Sequence, residues 1–331
     1  MAKYGGSLLV PSVQELAENP MVAVPPRYIR PEQDAPVISD NTLISKFPVI
    51  DMQSLLSEES VDSELANLDF ACREWGFFQL VNHGVSLALV DKVKKEIQEF
   101  FNLSMEEKKK YWQYPGEVEG FGQAFVVSEE QRLDWGDLDT LEVYSTEVNA
   151  LAMNLISRMA KVLHIKDEEV REFFENGLQS MRMNYYPPCP QPGKVMGLTP
   201  HSDSVALTIL LQINEAEGLQ IKKDGKWFPV RPLPNAFIVN IGDMLEVITN
   251  GVYPSIEHRA VVNSEQERLS IATFHLVKYD GEVGPAPSLI TEKTPALFRR
   301  VTTEEFLKAV FSRELHEKSL LDYMRIEHSQ V

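Results

Sequence analysis

The stretch Thr199-Pro-His-Ser-Asp-Ser-Val-Ala-Leu-Thr-Ile-Leu-Leu-Gln-Ile213 decides how the rest of the chain is read. Its second half, Ala206–Ile213, is an apolar run of strand length that includes β-branched residues. Its first half places His201 and Asp203 two positions apart. On an extended segment residues i and i+2 share a face, so an imidazole and a carboxylate reach toward one ion. Alone, H-x-D is a weak signal, because a histidine on a strand is commonly structural. Its weight comes from residues farther along the chain.

Downstream lies His258 in Ser255-Ile-Glu-His258-Arg259, with enough chain between it and Asp203 to cross a β core and return as a neighbouring strand. Two imidazoles and one carboxylate on one side of an ion leave the opposite positions open, which is the facial arrangement of non-haem Fe(II) oxygenases. Next comes Arg268-Leu-Ser270, again an i, i+2 pair on a strand. A guanidinium fork with a hydroxyl beside it receives a carboxylate, and the apolar neighbours Leu269 and Ile271 place it in the core rather than on the surface. Upstream, Asn184-Tyr-Tyr186-Pro-Pro188 is an aromatic strand ending in a proline turn, with Asn184 and Tyr186 on one face.

The texture around these residues is that of an antiparallel β core. Met181–Tyr186, Ala206–Ile213, Gly218–Lys222, Trp227–Val230, Ala236–Ile241, Glu257–Val262 and Leu269–Phe274 are short strand-like runs. Turn signals such as Asp224-Gly225 and Asn250-Gly251 separate them. Before Ser180 the pattern is mixed. Phe47–Asp51 and Gly76–Asn82 look like strands, while Glu64–Glu74, Ser86–Phe101 and Leu141–Leu163 carry helical spacing. A last helix is expected over Thr303–Phe311, and a short one over Ser12–Glu18 within a proline-rich arm.

Composition narrows the function. The 331 residues carry a formal net charge of −17, which argues against nucleic acid and anionic membranes as partners. No apolar run approaches the roughly 18 residues of a membrane span, and the first residues lack the pattern of a secretory signal. Two cysteines, Cys72 and Cys189, exclude a disulfide scaffold and cysteine zinc sites, leaving the seven histidines for metal chemistry. This economy of cysteine fits a cytoplasmic enzyme, and a monomer is expected.

Taken together, Asn184-Tyr-Tyr-Pro-Pro-Cys-Pro-Gln-Pro192, His201-x-Asp203, His258 and Arg268-x-Ser270 resemble the plant 2-oxoglutarate- and Fe(II)-dependent dioxygenases. Phe47-Pro-Val-Ile-Asp51, Trp75-Gly-Phe-Phe-Gln-Leu-Val-Asn-His-Gly84 and Phe101-x-Leu-x-Met-Glu-Glu-Lys108 resemble that family's N-terminal region. Within it, the chain resembles the senescence-related protein 1-like group, which is similar to codeine and thebaine demethylases and norcoclaurine synthase-like enzymes. The resemblance implies an α+β fold with a double-stranded β-helix (jelly roll, cupin-like) core and surrounding helices. It implies Fe(II) on His201, Asp203 and His258, and 2-oxoglutarate received by Arg268 and Ser270, with Tyr186 and Asn184 completing the pocket. Ascorbate is expected as reductant and O2 as oxidant, with succinate and CO2 released. The substrate would be a small, aromatic or alkaloid-like plant specialised metabolite that is hydroxylated or O-demethylated. Phe274 is expected to face it, with Phe121 and Phe125 at the pocket mouth, and His275 to approach the pocket. His83 is expected to be structural.

The implied organisation is an irregular arm over 1–45, an N-terminal dioxygenase region over 46–138, and a helical segment over 139–180. A Fe(II)/2-oxoglutarate core follows over 181–285, then a helical end over 286–331. One departure stands out. In the family, a sequence like Leu133-Asp-Trp-Gly-Asp-Leu138 runs into an aromatic strand and a long proline-rich loop; here Asp139-Thr-Leu-Glu-Val-Tyr144 follows at once. A missing strand and loop, and so a missing pocket wall, are expected between Leu138 and Asp139. Two other readings share these residues: an Fe(II) oxidase that does not use 2-oxoglutarate, like aminocyclopropane-carboxylate oxidase, and a non-catalytic jelly-roll binding protein.

Overall fold

The computed structural model describes residues 12–18, 22–30, 45–112, 137–139, 144–311 and 319–326. Eleven strands build two sheets: β1 Val49–Asp51, β2 Phe77–Val81, β3 Asp137–Asp139, β4 Gln179–Tyr186, β5 Leu198–His201, β6 Leu207–Gln212, β7 Leu219–Lys223, β8 Lys226–Pro229, β9 Phe237–Ile241, β10 His258–Ala260 and β11 Arg268–His275. The larger sheet runs β1-β2-β9-β6-β11-β4-β3, and the smaller runs β5-β10-β7-β8. Apart from the parallel pair β1–β2, every contact in them is antiparallel.

Alternation along the strands sorts side chains into layers. Phe77, Leu210, Ile238 and Ala272 of the large sheet pack with Leu219, Ile221, Phe228 and Val230 between the two sheets. The opposite face of the large sheet, including Leu80, Ile209, Leu211, Val239 and Ile271, packs with helices through Leu68, Val93, Leu155 and Met159. Helices on one face and a second sheet on the other make the double-stranded β-helix that the resemblance implied. The helix Leu87–Phe101 shows why its sequence suits the outer layer: Val90, Val93, Ile97 and Phe101 are buried at spacings of three and four. Asp224 and Gly225, at φ 50° and 72°, form the two-residue turn that closes β7 on β8.

Several boundaries differ from expectation. The helix read from Leu141 starts at Ser145 and ends at Val162. β10 spans only His258–Ala260, and its pairing with β5 shifts register between those two residues. β5 and the helices Asp167–Phe174 and Asp243–Ile248 had not been expected. The Leu138–Asp139 junction lies inside β3, whose backbone pairs with Met183–Tyr185 of β4. This short segment therefore takes an edge position in the large sheet, at the place where a strand had been expected to be missing.

Candidate active site

His201 ends β5, and His258 begins β10 directly opposite it in the antiparallel register. Their ring centroids are 4.3 Å apart. Asp203 follows β5, and its Oδ1 is 3.5 Å from His201 Nε2 and 3.7 Å from His258 Nε2. One ligand atom from each residue falls within 4.8 Å of the others, and all three residues are buried.

The surroundings fix which atoms face the centre. His201 Nδ1 lies 2.7 Å from the Thr199 carbonyl and His258 Nδ1 lies 3.2 Å from the Ile256 carbonyl. A carbonyl only accepts, so each Nδ1 carries the proton and each Nε2 turns a lone pair inward. Asp203 Oδ2 accepts from Thr208 Oγ1 at 2.6 Å and from Asn240 Nδ2 at 2.9 Å, which leaves Oδ1 for a metal. Thr208 of β6 and Asn240 of β9 are register partners, so both donors come from one row of the large sheet. The Asp203 carbonyl accepts from Asp243 N at 2.7 Å, at the start of the helix Asp243–Ile248. Gly242 allows that close approach, since a Cβ there would meet the Val205 carbonyl oxygen at 2.1 Å.

Protonation follows from this geometry. Burial first, and then the neighbouring His201 ring, push the His258 pKa down to about 4 against the opposing pull of Asp203. Burial works against ionisation of Asp203, but the positive charge of an imidazole beside it, whenever that ring is doubly protonated, together with the Thr208 hydroxyl outweighs burial and holds the carboxyl well below its usual range. A neutral imidazole and an ionised carboxylate are the forms that ligate a metal. Two buried imidazole nitrogens and one carboxylate oxygen, each oriented by a second partner, fit Fe(II).

Beside this cluster, on the same face of the large sheet, lies a second one. Arg268 is paired in register with Tyr186, and Ser270 with both Asn184 and Gln212. Arg268 is 3% exposed; its Nη2 donates to Gln212 Oε1 at 3.0 Å and its guanidinium lies 5.4 Å over the Tyr186 ring. Asn184 Nδ2 donates to Ser270 Oγ at 3.4 Å. Burial lowers the Arg268 pKa, partly offset by Tyr186. Among the described residues, no carboxylate pairs with this guanidinium, and its Nε and the Asn184 Oδ1 have no hydrogen-bond partner. A buried cation with neutral neighbours and an unused donor fits a carboxylate ligand. Turning the Asn184 amide over would let it donate to that ligand while accepting from Ser270.

Phe274 continues this face of β11 and neighbours Thr208 in register; the Arg182 guanidinium lies 5.5 Å from its ring. Phe121 and Phe125 lie outside the described residues. The expectation for His275 needs correction. Alternation along β11 turns it to the opposite face from Arg268, Ser270 and Phe274, toward the helices. His83 packs 4.3 Å from the Phe237 ring, and its Nδ1 accepts from Val85 N. Thr208, Asn240 and Gln212 had not been singled out. Thr208 and Gln212 were detectable as the polar, inward positions of an otherwise apolar strand. Replacing Thr208 with valine removes a donor to Asp203 at nearly constant volume. Fe(II) affinity is expected to fall about 10- to 100-fold, checked by anaerobic metal titration.

Comparison with known proteins agrees with this geometry. Residues 177–276 match the 2OG-Fe(II) oxygenase superfamily, and residues 47–155 match the non-haem dioxygenase in morphine synthesis N-terminal family. Protein SRG1 of Arabidopsis thaliana is 58% identical, with 98% of this chain and 99% of that protein covered. Thebaine 6-O-demethylase of Papaver somniferum is 50% identical over 98% of this chain and 99% of its own length. Oxoglutarate-dependent flavonoid 7-O-demethylase 1 of Ocimum basilicum is 48% identical over 98% and 93%. The crystal structure of JOX2 in complex with 2OG, Fe and JA superposes with a TM-score of 0.88 at 32% identity, covering 97% of this chain and 99% of that one. The alignment with SRG1 spans 353 positions against the 331 residues here, so SRG1 carries residues with no counterpart in this chain.

Proposed function

Because this chain belongs to the 2OG-Fe(II) oxygenase superfamily, we propose that it oxidises a small plant specialised metabolite, hydroxylating it or removing an O-methyl group. It is a 2-oxoglutarate-dependent oxygenase that holds Fe(II) on His201, Asp203 and His258. The bound iron supplies the activation of O2 that couples decarboxylation of 2-oxoglutarate to oxidation of a C–H bond. The protein's own work is to orient and to exclude water. Thr199 and Ile256 carbonyls hold the two imidazoles, Thr208 and Asn240 hold the carboxylate, and Phe77 packs edge-on against His258 at 5.3 Å.

In this reading Arg268 and Ser270 receive the far carboxylate of 2-oxoglutarate, with Tyr186 and Asn184 beside it, and the substrate enters past Phe274. The observation that carries it is the placement of Phe274 on the same face as Arg268 and next to Thr208, with the Arg182 cation beside its ring. An aromatic wall edged by a cation suits a flat, electron-rich substrate. The demethylase activities named for the poppy and basil relatives support the same class. We also place the SRG1 length difference around the Leu138–Asp139 junction, where it shortens one wall of the pocket. The compartment is taken as cytoplasmic and the enzyme as a monomer. No helix among the described residues is long and apolar enough to cross a membrane.

The test is incubation with Fe(II), 2-oxoglutarate, ascorbate and O2 against O-methylated flavonoids and benzylisoquinoline alkaloids. Succinate release coupled to formaldehyde marks demethylation, and succinate with a product heavier by one oxygen atom marks hydroxylation. Turnover of neither class, with succinate released no faster in their presence than in their absence, overturns the substrate assignment.

A further inference from the structure

Two residues outside the His201, Asp203 and His258 cluster lie against Arg268. Gln212, on β6, accepts from Arg268 Nη2 through Oε1 at 3.0 Å, while its Nε2 donates to the Ala216 carbonyl. That second bond fixes the amide, so its oxygen and not its nitrogen faces the guanidinium. Gln212 is buried, and it neighbours Ser270 in register. Two residues past Ala216, Gly218 lies against the stem of the same arginine. A Cβ there would meet Arg268 Cδ at 2.7 Å, Arg268 Nε at 3.2 Å and the Val261 carbonyl oxygen at 2.7 Å. Gly218 has no room to retreat, because its carbonyl accepts from Val261 N at 2.8 Å.

The chemistry of this support matters as much as its shape. A buried arginine is most simply steadied by a carboxylate, yet a carboxylate would neutralise it and compete with an acidic ligand. A neutral amide holds the fork in place and leaves the charge uncompensated. We propose that Gln212 and Gly218 are positioning residues for the dicarboxylate co-substrate: Gln212 orients the Arg268 fork without quenching it, and Gly218 leaves the channel through which its stem passes. This rests on the reading that Arg268 receives 2-oxoglutarate.

The experiment compares Gln212→Glu, Gly218→Ala and Arg268→Ala with the parent enzyme. Succinate release is followed as 2-oxoglutarate is varied, together with anaerobic Fe(II) titration and the thermal upshift that 2-oxoglutarate gives the Fe(II)-loaded protein. Gln212→Glu is nearly isosteric, and its introduced carboxylate pairs with the guanidinium. KM for 2-oxoglutarate is expected to rise about tenfold or more, the loss falling on KM far more than on kcat. The thermal upshift at fixed 2-oxoglutarate shrinks accordingly, while Fe(II) affinity holds. Gly218→Ala is expected to show the same signature. If Arg268→Ala raises KM and the other two variants do not, the positioning role is overturned. It is equally overturned if they lower kcat and Fe(II) affinity together, as general damage would. If Arg268→Ala itself leaves KM for 2-oxoglutarate unchanged, the underlying reading of Arg268 fails instead. Should Gly218→Ala not fold, Gln212→Glu decides the matter alone.

Discussion

Replacing Asp203 with alanine is expected to abolish succinate formation and to leave the protein with little or no bound iron. The two imidazoles remain, but the cluster loses the carboxylate oxygen Oδ1, which lies 3.5 and 3.7 Å from their Nε2 atoms. Loss of an outer partner of a metal ligand costs about 10- to 100-fold in affinity, and loss of the ligand itself exceeds that. The variant also strands the Thr208 hydroxyl and the Asn240 amide, which both donate to Asp203. A buried donor without an acceptor costs about 1–3 kcal/mol. For a chain of this size, that corresponds to a melting shift of several degrees rather than unfolding. Elemental analysis after anaerobic loading, beside circular dichroism, separates the two effects. A folded variant that keeps stoichiometric iron and turns over would refute the metal assignment.

Arg268→Ala is the second large effect, and it acts on a different ligand. Removing one partner of a buried, hydrogen-bonded charge pair costs about 2–5 kcal/mol. Converted at 1.4 kcal/mol per decade, the affinity for 2-oxoglutarate falls between about thirtyfold and a few thousandfold. Fe(II) binding is expected to persist, since Arg268 is bonded to Gln212 and packed over Tyr186, neither of which ligates the metal. Arg268→Lys keeps a charge but loses the planar fork, and intermediate affinity is expected. Calorimetric titration of 2-oxoglutarate into the anaerobic Fe(II) form measures both variants. Wild-type affinity in the alanine variant would move the carboxylate receptor elsewhere.

The inward positions of β11 were legible because a strand has a period of two. Arg268, Ser270 and Phe274 fall on one face by arithmetic alone, and their partners Tyr186 and Asn184 follow from the antiparallel register. The same arithmetic should have turned His275 away from them. β5 was hidden by Pro200, a residue that argues against a strand interior. The helix Asp243–Ile248 is buried on every side, so it shows no polar stripe and no helical period. The outer partners of Asp203 were harder. Thr208 and Asn240 meet only because β6 and β9 pair, and that pairing is a tertiary fact that spacing along the chain does not carry.

The order of strands in the large sheet also shapes the protein's birth. β2 is flanked by β1, which is made just before it, and by β9, which lies roughly 160 residues later. A ribosome adding about 5–20 residues per second needs about 8–30 s to supply that second neighbour. Throughout that interval the apolar stretch Phe77-Phe-Gln-Leu-Val81 lacks its β9 partner, and unpaired apolar segments of this kind are bound by chaperones or aggregate when these are scarce. The regions over 47–155 and 177–276 thus meet in a single sheet. Neither half made alone is expected to accumulate as folded protein, and recombinant yield of the full chain should rise with chaperone co-expression.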